Sequence, residues 1–452
     1  MLYVRRILLL LLFYVVISLV VPPLFHKSVT EKTSGRDAEG TAQERILSID
    51  NNMDALLWRL RLIEQAQESI VLVTFDFRDD NSGRDIMAAL LHAADRGVQV
   101  RVIVDGINGA LRLSGSENFR ELASHERVEV KLYNPVNPVK LWETNYRMHD
   151  KYLIADDFAY ILGGRNTDDL FLGNYAKSYN EDRDILVYET EPGKGGSYQQ
   201  LWEYFERIWT LPCCELFERE GDTGGYLDKH YQELKEKYPA AFATPDWEEA
   251  AIEPESIELC TNPIEPENKE PVLWGRMVEE MERKDDVLIQ TPYIICSKEM
   301  YQDLTGLNAD HPKVEVMINA VEKGSNPFGC TDYLNEKKNV QKTGSSIYEY
   351  LGDQALHTKT ILAGKNISIV GSCNLDMRSI YLDTEMMLII DSPELNEMLR
   401  SQIEELAKKS RKVLPGGAVI DGADYKAAKP DAKKKIFYGI LRVVIIPFRH
   451  LL

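Results

Sequence analysis

Two twenty-residue segments limit what this 452-residue chain can fold into. HDKYLIADDFAYILGGRNTD begins at His149, and HTKTILAGKNISIVGSCNLD begins at His357. Laid over each other without a gap, they share seven residues: His149/His357, Lys151/Lys359, Ala155/Ala363, Ile161/Ile369, Gly163/Gly371, Asn166/Asn374 and Asp168/Asp376. Every pair is 208 positions apart. A sustained common offset is the mark of internal duplication, so the two halves should share one fold.

The spacing carries chemistry. In a strand, residues i and i+2 project from the same face. His149 with Lys151, and His357 with Lys359, therefore form two fingers, each an imidazole beside an ammonium. Leu153 with Ala155 and Ile361 with Ala363 fit buried continuations of those strands. Turns at Asp156-Asp157 and Gly364-Lys365-Asn366 lead into second strands, Phe158–Leu162 and Ile367–Val370. These end at Gly163-Gly164 and Gly371-Ser372, where small residues permit close approach of the backbone to a ligand. Asn166 and Asn374 follow, with amides that can donate inward. Facing each other, the halves would place two imidazoles, two ammonium groups and two carboxamides in one pocket. The lysines can stabilise a phosphoryl group, one imidazole can attack phosphorus, and the other can protonate the departing oxygen. A single His-x-Lys would be structural; two copies in register, each followed by Gly-small-x-Asn-x-Asp, point to function. His26, His92, His125, His230, His311 and His450 have no repeated partner and read as surface or packing residues.

The rest of the body fits an α/β chain. A helix around Met53–Gln67 precedes the apolar run Ile70–Phe75, and a helical stretch Arg84–Ala94 precedes Val98–Gly106. The order recurs with a helix near Val272–Glu282 and the runs Val287–Ile295 and Val314–Val321. Strands alternating with helices of these lengths predict sheets with crossover helices. The formal charge of −19 works against a general nucleic-acid binder, which needs a basic surface. Six cysteines without a CxxC pair give neither a disulfide scaffold nor a zinc site.

Both ends suggest membrane contact. Ile7–Val21 is apolar except for Ser18, and Pro22, Pro23, Leu24 and Phe25 extend the run to 19 residues, just enough for a spanning anchor. No small-x-small cleavage site follows it. Arg5 and Arg6 favour a cytoplasmic N-terminus and hence an extracytoplasmic body. From Lys426 to Leu452 there are seven Lys/Arg and one acidic residue, Asp431. Its apolar runs flank Arg442 and are too short to span, so this tail reads as a segment lying in the headgroup layer of an anionic membrane.

The doubled motif resembles that of the phospholipase D superfamily, His-x-Lys-x4-Asp followed by Gly-Gly/Ser-x-Asn. His149, Lys151 and Asp156 match the first copy, with GGRN at Gly163–Asn166; His357 and Lys359 match the second, with GSCN at Gly371–Asn374. Gly364 stands where the second copy should have Asp. The resemblance covers roughly residues 45–415. Together with the anchor and the basic tail it looks most like bacterial cardiolipin synthases.

That resemblance implies two fused, duplicated α/β domains with the active site at their interface, a phosphohistidine intermediate, and no metal or cofactor. The expected organisation is an N-terminal transmembrane helix in residues 1–27, a spacer 28–43, a first domain 44–215, a linker 216–255, a second domain 256–415 and a membrane-interacting tail 416–452. By carry-over, His149 is the nucleophile and His357 the general acid. Lys151, Lys359, Asn166 and Asn374 hold phosphate oxygens. Asp156 has a supporting role, and Asp184 and Glu385 orient the imidazoles. The implied partners are phospholipids in a membrane, phosphatidylglycerol first and phosphatidylethanolamine second, with no nucleic acid and no need for a homodimer to complete the pocket. A phospholipase D hydrolase, a nuclease and a non-catalytic lipid-binding protein are the alternatives.

Overall fold

The computed structural model describes residues 2–21, 44–217, 225–243, 247, 252–267, 269–311, 313–428 and 432–452. The expected spacer 28–43 and the end of the expected anchor lie outside these. In the first half the strands are β1 (Glu44–Ile49), β2 (Ser69–Thr74), β3 (Gln99–Asp105), β4 (Val128–Tyr133), β5 (Tyr152–Ala155), β6 (Ala159–Gly163), β7 (Asn180–Glu181), β8 (Asp184–Glu189) and β9 (Cys214–Leu216). The second half has β10 (Ser256–Thr261), β11 (Val287–Gln290), β12 (Ile294–Ile295), β13 (Val314–Asn319), β14 (Ser346–Tyr350), β15 (Ala355–Leu356), β16 (Thr360–Ala363), β17 (Ile367–Gly371), β18 (Leu375–Asp376), β19 (Met386–Asp391), β20 (Ser410–Val413) and β21 (Val419–Asp421).

An eight-stranded sheet runs β1-β8-β6-β5-β2-β3-β4-β9, and a nine-stranded sheet runs β10-β19-β17-β16-β11-β13-β14-β20-β21. Position by position the second repeats the first and adds β21. In each, three parallel strands (β2-β3-β4 and β11-β13-β14) sit beside an antiparallel hairpin (β5-β6 and β16-β17). The parallel strands need helical crossovers. Asn81–Asp95 is one of these, capped by Asp80, whose carboxylate accepts from the Gly83 N–H.

The sheets share one core. Val71, Val73, Tyr152 and Ile154 from the first cluster with Leu288, Leu362, Val370 and Leu388 from the second. Leu201 and Phe205 of helix Gly196–Trp209 and Leu395 and Leu399 of helix Pro393–Lys408 belong to the same cluster. Strands buried on both faces read as continuous apolar runs rather than alternating ones. Truncating one of these fully buried leucines to alanine costs about 2–5 kcal/mol. This shared core holds the halves in register, and register is what the site depends on.

Two expected boundaries shift. The segment 216–255, expected to be a linker with a short helix, does carry one, Tyr226–Lys237, but its Leu227, Tyr231 and Leu234 are buried in the first half's outer core, so the helix is built into that half. The second sheet continues past residue 415 through β21. At the N-terminus, Leu2–Val20 is helical, but among the described residues no helix is long and apolar enough to cross a membrane. Arg5 and Arg6 lie within that helix. The rest of the expected apolar run, residues 22–25, lies outside the described residues.

Candidate active site

The two fingers stand at equivalent places, one in each sheet. His149 and Lys151 lie on the extended lead-in to β5, and His357 and Lys359 on the lead-in to β16, just before the strands rather than inside them. Each lead-in is stitched to the opposite half. The His149 N–H donates to the Thr384 carbonyl at 3.3 Å, and the His357 N–H to the Glu181 carbonyl at 2.7 Å. β7 pairs with β15 across the halves, and Met148 bridges Thr384.

The carboxylates cross over in the same way. His149 Nδ1 lies 2.8 Å from Glu385 Oε1, and His357 Nδ1 lies 2.6 Å from Asp182 Oδ2. Each imidazole is thus oriented by an acid from the other half, and the Lys359 ammonium also lies 3.3 Å from His357 Nε2. Phe75 meets the His149 ring edge-on at 5.0 Å, and Phe171 meets His357 at 4.8 Å. Both lysines are buried, and each ammonium donates to its own histidine's carbonyl, Lys151 to His149 and Lys359 to His357.

The four groups feel one another's charge. Burial, then Lys151, Lys359 and His357, push the His149 imidazole well below its usual pKa. Burial and Lys359 push His357 down to about 4 against the pull of Asp182. Burial lowers Lys151 to about 7, with Lys359 adding to the effect. The two acids differ. Burial works to raise Asp182, but Lys359 and His357 overcome it and hold the carboxyl well below the usual range. At Glu385 burial wins, and its pKa stands well above the ordinary value. An incoming phosphate anion would relieve the crowding of positive charge and favour the protonated forms of both lysines and an imidazole.

Asn166 and Asn374 leave their amide oxygens buried without a hydrogen-bond partner. Unmet polar atoms are costly. Both asparagines sit where the sequence places them, shortly after the second strand of each hairpin.

Several assignments from sequence move. Asp184 does not orient an imidazole: its carboxylate lies 2.9 Å from Arg59 and 3.3 Å from Arg165, and Asp182, two residues earlier, takes that place. The motif acid Asp156 is also outside the site. It sits at positive φ and accepts from the Gln67, Glu68 and Ser69 N–H groups, which locks a turn. Gly364 occupies the same left-handed turn at φ +60°, with Lys284 packed where a side chain would go. The departure at Gly364 therefore leaves the two His-x-Lys pairs untouched.

The small residues after each hairpin face the protein rather than a ligand. A Cβ on Gly164 would lie 2.4 Å from an Asp182 carboxylate oxygen, whereas Ser372 in the second copy donates to Glu385. Sequence reasoning missed Asp182, Phe75 and Phe171. It also missed Lys269, a buried ammonium that burial lowers to about 8 against the upward pull of Asp383 and Asp150. Asp182 alone carried a signal, the DRD triplet, which was read two residues too late.

A match to the family described as "Cardiolipin synthase, PLD-like domain" covers residues 60–209 and 277–407, more than half of the chain and both copies of the motif. The chain belongs to this phospholipase D-like family, and it is an enzyme of the phosphatidyltransferase and phosphodiesterase type. Among its relatives, Cardiolipin synthase C of Escherichia coli is 24 % identical over 405 residues, which is 78 % of this chain and 83 % of that protein. The major cardiolipin synthase of Bacillus subtilis is 27 % identical over 356 residues, 77 % of this chain and 66 % of that one. The crystal structure of phosphatidylserine synthase from Haemophilus influenzae superposes with a TM-score of 0.62 at 12 % identity, covering 91 % of this chain and 98 % of that one, a likeness of fold.

Proposed function

We propose that the protein forms cardiolipin by moving the phosphatidyl group of one phosphatidylglycerol to a headgroup hydroxyl of a second. His149 Nε2 attacks phosphorus, the bond to the headgroup glycerol breaks, and that oxygen takes a proton from His357 Nε2. The hydroxyl of the second lipid then gives its proton to His357 and attacks phosphorus, releasing His149. Lys151, Lys359, Asn166 and Asn374 hold the non-bridging oxygens as charge develops on them. His357 takes the acid role because ionised Asp182 stabilises an imidazolium there. His149, beside a carboxyl of raised pKa and two lysines, stays neutral and nucleophilic.

The observation that carries this reading is the crossed pairing of each imidazole with the other half's acid around two buried lysines. Lipid substrates also fit the ends of the chain. Ile436, Phe437, Ile440, Val443 and Val444 form an exposed stripe at helical spacing on helix Ala432–Val444, which carries Lys433, Lys434, Lys435 and Arg442. Leu9–Phe13 of the N-terminal helix are exposed too. Both helices would lie on, or anchor in, an anionic bilayer. The test is the lipid product of purified protein given phosphatidylglycerol vesicles. Cardiolipin plus glycerol is expected; phosphatidic acid alone would make the protein a hydrolase.

A further inference from the structure

Beside His357 lies a cavity of about 200 Å³, far more than one water needs (roughly 10–15 Å³). Asn180, Tyr293, Asn319, Ser325 and Asn326 line it with the His357 imidazole, and no Asp, Glu, Lys or Arg lines it. Its wall is braced. Asn326 accepts from the Phe328 and Gly329 N–H groups, Asn319 donates to the Pro292 and Leu356 carbonyls, and the Tyr293 hydroxyl bonds Asp376 and Asn326. Asn180 belongs to β7, the first-half strand paired with β15 just before His357, so both halves build the cavity. The surroundings of His149 differ. Asp76, next to the Phe75 that packs on His149, pairs with Arg78 at 2.5 Å, and Arg78 is 3.6 Å from Asp168.

Displacement at phosphorus places the entering and leaving atoms in line on opposite sides. With His149 attacking, the departing oxygen lies on the side of His357, which protonates it. We infer that this cavity is the alcohol subsite of the enzyme and that it selects an uncharged polyol such as glycerol over an ammonium-bearing alcohol. It holds the headgroup that leaves in the first step and the headgroup whose hydroxyl enters in the second. Hydroxyls can exchange hydrogen bonds with amides and hydroxyls on the wall. An ammonium would lose its hydration there and meet no carboxylate in the lining, since Asp376 is engaged behind Tyr293 and Asp182 behind His357. In the second step a P–O bond to the alcohol forms, the P–N bond to His149 breaks, and the alcohol proton passes to His357. This inference rests on the phosphatidyltransferase reading.

The experiment gives the full-length protein phosphatidylglycerol vesicles with equimolar deuterated glycerol and ethanolamine. Mass spectrometry then measures deuterated phosphatidylglycerol against phosphatidylethanolamine. Wild-type protein should favour glycerol at least about tenfold. Asn180→Asp and Ser325→Asp each place a carboxylate in the cavity and should move the ratio toward ethanolamine by about tenfold. Ser325 is exposed on a loop, so its variant decides the matter if Asn180→Asp fails to fold. Transfer that persists with an unmoved ratio overturns the subsite. Wild-type protein that yields only phosphatidic acid, or nothing, overturns the phosphatidyltransferase reading and the subsite with it.

Discussion

His149 and His357 occupy equivalent points in duplicated sheets, yet the acids behind them are in different states. Asp182 sits within 3.6 Å of the Lys359 ammonium and is held ionised behind His357. Glu385 is buried where Lys151 and two serine hydroxyls fail to offset desolvation, so its pKa is raised behind His149. The hairpin turns differ too: Asp156 spends its carboxylate on three N–H groups, while Gly364 makes the same turn with none. A duplicated fold therefore need not keep two equivalent catalytic halves. In the mechanism proposed above, that difference in charge is what makes one imidazole the acid and the other the nucleophile.

The sharpest way to break that division of labour is to remove each imidazole in turn. His149→Ala should lower turnover by about 10⁴-fold or more and abolish covalent labelling by a radiolabelled phosphatidyl donor. His357→Ala should leave a slowly released label on the protein. Label retained in the His149 variant and missing from the other would reverse the roles. Lys359→Ala comes next, with a loss of about 10³-fold in kcat and little change in melting temperature, because its work is charge stabilisation. A collapsed melting transition would show a structural role instead.

The two acids should separate by about tenfold. Asp182→Asn removes a charge that supports an imidazolium and should cost about 10²-fold. Glu385→Gln mimics a carboxyl already pushed toward its neutral form and should cost about tenfold. Equal losses would erase the asymmetry. The Lys151 ammonium, lowered to about 7, gives a pH prediction. It binds phosphate when charged, so kcat/KM should fall as pH rises above about 7, and Lys151→Arg should flatten that limb; an unchanged alkaline limb would assign it elsewhere.

The smallest effects belong to the turns. Asp156→Gly should cost about 1–3 kcal/mol of stability with the chemistry intact, since it strands three N–H groups. Gly364→Asp should be nearly neutral, because Asp tolerates the left-handed turn and Lys284 is a flexible neighbour able to pair with it.

Much of this was legible in the sequence because the signals are local. Helix Val272–Glu282 falls where its pattern predicts, β3 and β13 lie within the apolar runs read as strands, and β2 overlaps its run, starting one residue earlier at Ser69. The His-x-Lys spacing places each pair on its lead-in, and both asparagines follow at the expected positions. Asp182 was misread for a geometric reason. Gly163 pairs with Asp184 and Gly371 with Met387, so equivalent partners are 184 − 163 = 21 positions apart in the first half and 387 − 371 = 16 in the second. The gapless 208-residue register that aligns the motifs stops holding there, and the acid equivalent to Glu385 is Asp182.

The amino-acid order by itself determined the duplication, the strand and helix periods, and which side chains belong to each finger. These depend on neighbours within about ten positions, where backbone geometry alone sets direction. Only the tertiary structure decided which acid meets which imidazole, that Asp156 builds a turn, and that the cavity opens beside His357. Those outcomes depend on loop lengths and on two sheets packing through one core. They join residues 175 and 236 positions apart, and no local pattern encodes that separation.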